Sequence, residues 1–272
     1  MSEIIAITNQ KGGVGKTTTT VNLGIALARQ GKRILLVDGD PQGDLTTSLG
    51  YNGDTIPATL SNLMQSVIED TPGNPQDIIL HHAEGIDLIP SNLELSGMDM
   101  KLVTVFNREN TLKNCLTEIK GNYDYVLIDC MPSLGMITVN SLVAADSVII
   151  PMQAQYLSAK GMTQLVTTIS RIKRQMNPNL EIKGILPTLV DHRTRISKQT
   201  ISAIRENYGE YVRVFKTAIP LAVCLADASV EGKSIFAYEK ATYAAREACK
   251  MFAKEVTGIG RERYKPATTS CR

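Results

Sequence analysis

Short runs rich in Ile, Leu and Val recur along the chain, separated by longer stretches with helical spacing. The first run, Glu3–Thr8, predicts a strand that enters a glycine-rich loop and then an apolar-periodic helix to about Gln30. Arg33–Asp38 predicts a second strand. A stretch rich in Thr, Asn, Pro and Gly follows, with one short helix over Ala58–Glu69, and leads to a strand at Ile86–Pro90. Leu93–Lys120 reads as helical, and Tyr125–Asp129 and Ser147–Pro151 read as strands. Beyond them come a long helix over Leu157–Met176, a strand at Ile182–Pro187 and a helix over Arg195–Asn207. Val212–Phe215 is strand-like, and Phe236–Val256 reads as helical. Strands that are apolar on both faces and alternate with helices predict an α/β fold: a mostly parallel, twisted sheet with helices on both sides. No internal repeat or linker divides it. One domain is expected over residues 1–256, with a polar, flexible tail over 257–272.

With a strand at the amino end, no targeting peptide is expected. No run approaches the ~20 apolar residues that a membrane-spanning helix needs. The five cysteines (Cys115, Cys130, Cys224, Cys249 and Cys271) are scattered without a CxxC pair, which fits a reduced, cytoplasmic compartment. The net charge of +2 hides an asymmetry. Residues 1–170 carry 10 Lys+Arg against 17 Asp+Glu, whereas residues 171–272 carry 19 against 10. A basic third of that kind fits a polyanionic partner as well as it fits solvated helix faces.

The candidate chemistry begins at Lys11-Gly12-Gly13-Val14-Gly15-Lys16-Thr17-Thr18, placed after a strand and before a helix. The glycines let successive N–H groups curl toward phosphate oxygens, and the helix N-terminus favours the same anion. Lys16 is placed to reach the outer phosphates and Thr17 to ligate Mg2+, so the loop predicts ATP binding and a P-loop NTPase fold. One departure from the general pattern is Gln10, which stands where the first glycine is usual. Lys11 adds a second cation beside the phosphates.

Two further strands end in acids: Val37-Asp38-Gly39-Asp40-Pro41-Gln42-Gly43 and Leu127-Ile128-Asp129-Cys130-Met131-Pro132. Ligands of open α/β sheets gather beyond the carboxyl ends of the strands, so the three segments should share one crevice. Asp129 suits the magnesium side and Asp40 the orientation of an attacking water, both acting through water at the metal. Asp38 suits a structural role in its loop.

Together these segments resemble the deviant-Walker-A ATPases that include ParA/Soj-type partition proteins and MinD. The matching pieces are Asn9–Gly24, Ile34–Asp44, Tyr123–Gly135, Ile149–Met162 and Gly184–Thr194, with a weaker match over Thr217–Ile235. Asp40-Pro41-Gln42 and Gln155-Tyr156-Leu157-Ser158 favour ParA/Soj over MinD. The resemblance implies a Mg-dependent ATPase that closes into a homodimer on ATP, with Lys11 reaching the opposite subunit's nucleotide. It implies purine contacts at Thr188 and at Ile219-Pro220. It also implies non-specific binding of duplex DNA, association with the nucleoid when ATP-bound, and hydrolysis stimulated by a ParB-like centromere-binding protein. Arg193, Arg195, Lys198, Arg213 and Lys216 are the expected phosphate-neutralising strip.

Six positions in three places depart from the family. Leu221-Ala222-Val223-Cys224 stand where basic residues are usual, Asp227 where glutamate is, and Met131 where proline is. The alternatives of the same fold are a MinD-like membrane switch, an iron–sulfur carrier and an ATP-using ligase. Glu255–Arg272 has glycines and a proline but no sustained apolar face for a membrane helix. Cys130 is a solitary candidate ligand, and nothing points to a second-substrate pocket. With a start at Met1, no N-terminal helix-turn-helix domain is expected.

Overall fold

The computed structural model describes residues 2–71, 74–154 and 159–258. In chain order the larger elements are β1 (Glu3–Ile7), α1 (Lys16–Ala28), β2 (Ile34–Gly39), α2 (Asp44–Ser48), α3 (Leu60–Ile68), β3 (Leu80–His82), β4 (Ile86–Ile89), α4 (Leu95–Leu102) and α5 (Thr111–Thr117). They continue with β5 (Tyr125–Cys130), α6 (Met136–Ala144), β6 (Ser147–Gln153), α7 (Ala159–Gln175), β7 (Glu181–Thr188), α8 (Arg195–Tyr208), α9 (Val223–Val230) and α10 (Tyr243–Thr257). The seven strands form one sheet in the order β3-β4-β2-β5-β1-β6-β7. All neighbours run parallel except the short edge pair β3 and β4.

The central strands are buried on both faces, which is why they read as continuous apolar runs rather than alternating ones. Alternate residues serve two cores. Leu35, Val37, Val126 and Ile128 face the cluster built with α3 to α8. Ile34, Leu36, Leu127 and Ile7 face the cluster built with α1, α2, α9 and α10. Helix α1 lies so close to β2 that a Cβ on Gly24 would stand 2.7 Å from the Leu36 side chain. From β1 the chain crosses by α1 toward β2, and from β5 it crosses by α6 on the other face toward β6. That reversal opens a crevice at the carboxyl ends of β1 and β5.

The predicted fold class holds, with local corrections. The helical region Leu93–Lys120 holds two helices, with Asn107 in a left-handed backbone (φ 56°) between them. Val212–Phe215 does not join the sheet as a strand. It makes a single bridge, Val214 to Ile185. The last helix begins at Tyr243, capped by the Thr242 hydroxyl, and not at Phe236. The turn before it is held by the Ser234 hydroxyl, which accepts the N–H groups of Phe236 and Ala237. The elements β3, α2, α6 and α9 escape the pattern because each is short or uniformly buried. Gln155–Ser158, the start of the helix expected from Leu157, and residues 259–272 of the expected tail lie outside the described residues.

Candidate phosphate-loop site

The loop leaves β1 at the crevice. Asn9 braces its start: the side-chain amide donates to the Pro151 carbonyl at 2.7 Å, and its oxygen accepts the Lys11 N–H at 3.0 Å. Gly13 (φ 68°) and Gly15 (φ 82°) take left-handed conformations that side chains resist, and α1 begins at the next residue, Lys16. A Cβ added to Gly12 or Gly13 would meet nothing within 4 Å. The mouth of the loop is therefore open where an anion would sit. Lys16 is buried, and its ammonium reaches back toward the Lys11 carbonyl at 3.4 Å. Lys11 is exposed. The Val14 carbonyl accepts the Thr188 hydroxyl at 2.8 Å, which ties the loop to the end of β7. A net contribution of about 1 kcal/mol is typical of such a bond.

The acids meet the loop as the strand ends require. Asp38 and Asp129 are register partners in adjacent parallel strands, both almost fully buried on the α1 face. The Thr17 hydroxyl donates to Asp129 Oδ2 at 2.7 Å, and the Thr20 hydroxyl lies 3.2 Å from Oδ1. Burial raises the Asp129 carboxyl well above the usual carboxylate range, and the neighbouring Asp38 charge pushes the same way. Burial likewise pushes Asp38 up to about 7, against the lowering effect of its hydrogen bonds from Thr46. Asp40 stands two residues beyond the Asp38–Asp129 pair at the rim. Its Oδ1 accepts the Gln42 N–H at 3.0 Å. A hydroxyl and a carboxylate side by side next to an open anion cradle are the hard oxygen donors that magnesium prefers, so the residues present fit a Mg-nucleotide.

Thr188 is buried and its hydroxyl lies beneath the loop, while Pro220 pairs with Val190 just past the end of β7. The structure thus brings the two expected purine-contact positions to the same rim. It does not gather the expected basic strip. Arg193 forms a two-pronged pair with Asp191 (2.9 and 3.0 Å), beyond the carboxyl end of β7. Arg195 and Lys198 follow on the first turn of α8. Arg213 instead packs over the Phe215 ring (4.7 Å) and pairs with Glu255 at 3.7 Å, level with Ile185 inside β7. Ile185 lies three residues before the end of β7 at Thr188, roughly 10 Å back along the strand. Lys216 lies on the same turn, with its backbone N–H bound by Glu255.

Cys130 points into the core, and burial pushes its thiol up to about 12, so it offers no ligand at the rim. A cavity of about 310 Å³ lined by Arg33, Gln76, Asp87 and Tyr123 lies at the amino ends of the strands, opposite the loop. Among the described residues no helix is long and apolar enough to cross a membrane. Sequence reasoning missed Asn9, Thr20 and Thr46. For Thr20 a signal existed, because it lies three residues from Thr17 on one helix face.

Fold and loop together define a P-loop nucleotide-binding protein. Comparison with known proteins narrows the class. A family model described as an AAA domain matches residues 2–182. The sporulation initiation inhibitor protein Soj of Bacillus subtilis is 42% identical over 260 residues, 96% of this chain and 100% of that protein. The chromosome partitioning protein ParA of Caulobacter vibrioides is 39% identical over 268 residues, 97% of this chain and 96% of that one. Among solved structures, a Mycobacterium smegmatis protein named cobyrinic acid a,c-diamide synthase, with a bound ATP analog and magnesium, superposes with a TM-score of 0.83. It is 34% identical and covers 99% of this chain and 100% of its own. The chain belongs to the ParA/Soj family of P-loop ATPases, within the ParA/MinD superfamily.

Proposed function

We propose that the chain is a partition ATPase whose ATP-bound homodimer binds duplex DNA without sequence preference and hydrolyses ATP when a ParB-like partner engages it. ATP and magnesium are the ligands of the site. The observation that carries the reading is the convergence of Thr17 and Asp129 beside the open glycine loop. Main-chain N–H groups of residues 12–18 hold the phosphates, and Lys16 turns from the Lys11 carbonyl to the outer phosphates. A bound magnesium would supply charge neutralisation at the outer phosphates. Thr17 and Asp129 would hold it, Asp129 through water, and Asp40 would orient the attacking water. Lys11, exposed at the loop's shoulder, reaches the nucleotide of the second subunit, and Thr188 and Pro220 border the base.

For DNA, the supporting cations are Arg193, Arg195 and Lys198 at the rim. Arg213 belongs to the packing of Phe215 and Glu255. With Leu221 to Cys224 apolar, the electrostatic footprint is smaller than the family pattern implies, so binding is weak and lost at modest salt. A protein of this kind resides in the cytoplasm and on the nucleoid when ATP-bound. The test is duplex-DNA binding at low salt with ATP and magnesium against ADP and magnesium. Retention with ATP alone supports the reading. Equal behaviour with both nucleotides, or retention by anionic vesicles instead, sinks it.

A further inference from the structure

The residue that holds the turn bearing Asp40 is Thr46, which the family resemblance leaves without a role. Thr46 is fully buried on α2. Its hydroxyl donates to Asp38 Oδ2 at 2.7 Å, and its N–H donates to the same oxygen at 2.8 Å. The hydroxyl oxygen also accepts the N–H of Ser91, from the loop after β4, at 3.0 Å. The other Asp38 oxygen, Oδ1, accepts the N–H of Asp40 at 3.2 Å. One carboxylate therefore clamps both ends of the turn from Asp38 to Thr46, and Asp40 is fixed at its near end. The far side is closed by the same Ser91, because a Cβ on Gly43 would stand 3.1 Å from its carbonyl oxygen. The turn has few other ways to sit.

We propose that Thr46 is a positioning residue for hydrolysis: through Asp38 and Ser91 it sets where the Asp40 carboxylate stands relative to the loop. The inference rests on Asp40 as the water-orienting acid. Thr46 is fully buried and its hydroxyl is engaged with Asp38 and Ser91, so its loss shifts the acid without emptying the phosphate site. A displacement of a fraction of an ångström in a reacting group lowers turnover with little effect on ground-state binding.

The experiment compares Thr46→Val, which keeps the shape and removes the hydroxyl, with Thr46→Ser, which keeps the hydroxyl. Both are measured for Mg-ATP affinity by calorimetry and for turnover. Thr46→Val should bind nucleotide within about twofold of the wild type and turn over roughly ten- to a hundredfold more slowly. Thr46→Ser should restore turnover to within about twofold. If the valine variant fails to fold, Asp38→Asn breaks one arm of the clamp and should give the same split of slow turnover and preserved affinity. Wild-type turnover in the valine variant overturns the proposal, as do a parallel loss of affinity and turnover or a serine variant as slow as the valine one. Asp40→Ala separates the two levels. If it keeps full turnover, the reading of Asp40 falls. If it is inactive while Thr46→Val is fully active, only the role of Thr46 falls.

Discussion

Thr17 and Asp129 lie 112 residues apart in the chain, yet the hydroxyl of one donates to Oδ2 of the other at 2.7 Å. Parallel pairing of β1 with β5 brings them together, because Ile7 and Asp129 are register partners and the loop returns α1 to that level. Thr17→Val keeps the volume and removes the oxygen from this pair. Turnover with magnesium should fall by at least about a hundredfold, since positioned polar groups at a transferring phosphoryl group have effects of that size. Thr17→Ser should keep most of the activity. Steady-state ATP hydrolysis across a magnesium titration checks both.

Asp38 and Asp129 sit side by side in adjacent strands, and burial raises both. A raised folded-state value means that the native protein holds these protons more tightly than the unfolded chain. The stabilising contribution is therefore complete at low pH, below the unfolded values, and is lost progressively from there until pH has risen through the folded value of about 7 for Asp38. The nucleotide-free protein should have a urea midpoint that falls between about pH 4 and 8 and levels off above, and Asp129→Asn should flatten that slope. Urea titrations at fixed ionic strength read it directly. A midpoint that rises across the window would contradict the assignment.

Lys11 and Lys16 share one loop but differ in burial, and their variants should differ accordingly. Lys11→Ala should leave nucleotide affinity of the monomer within about threefold and remove ATP-dependent dimerisation, because a long-range cation at an exposed position contributes little within its own subunit. Analytical ultracentrifugation with ATP, alongside calorimetry, separates the two effects.

Arg213 and Arg193 are both expected from sequence to neutralise phosphates, and the structure gives them different surroundings. Arg213→Ala removes packing on Phe215 and the Glu255 pair, so it should lower the thermal midpoint by a few degrees, an effect on the order of 1 kcal/mol. Combined Arg193→Ala, Arg195→Ala and Lys198→Ala should leave the midpoint nearly unchanged. The same triple change should reduce the salt slope of DNA binding by about one unit for each phosphate no longer neutralised. Melting curves and binding at graded salt decide which residue belongs to which group.

Sequence periodicity was sufficient for the central strands, because Ile34–Gly39 and Tyr125–Cys130 are apolar on both faces and no other element fits such runs. The loop was legible because its glycines answer a local need, positive φ at positions 13 and 15. What the sequence hid depends on interactions between distant segments. Thr46 looks like one of several threonines in a polar stretch until Asp38 and Ser91 fold around it. Arg213 looks like a surface cation until Phe215 and Glu255 occupy it. The break at Asn107 escaped for a different reason: left-handed asparagine is a backbone choice that apolar periodicity does not record.

The most direct test is calorimetric titration of Mg-ATP into the wild-type chain and into Lys16→Ala of equal thermal stability. Saturable binding to the wild type, abolished in the variant and weakened when magnesium is withheld, is the predicted result. Equal heats for both proteins, or none for either, would contradict a triphosphate held by the glycine loop beneath Thr17 and Asp129.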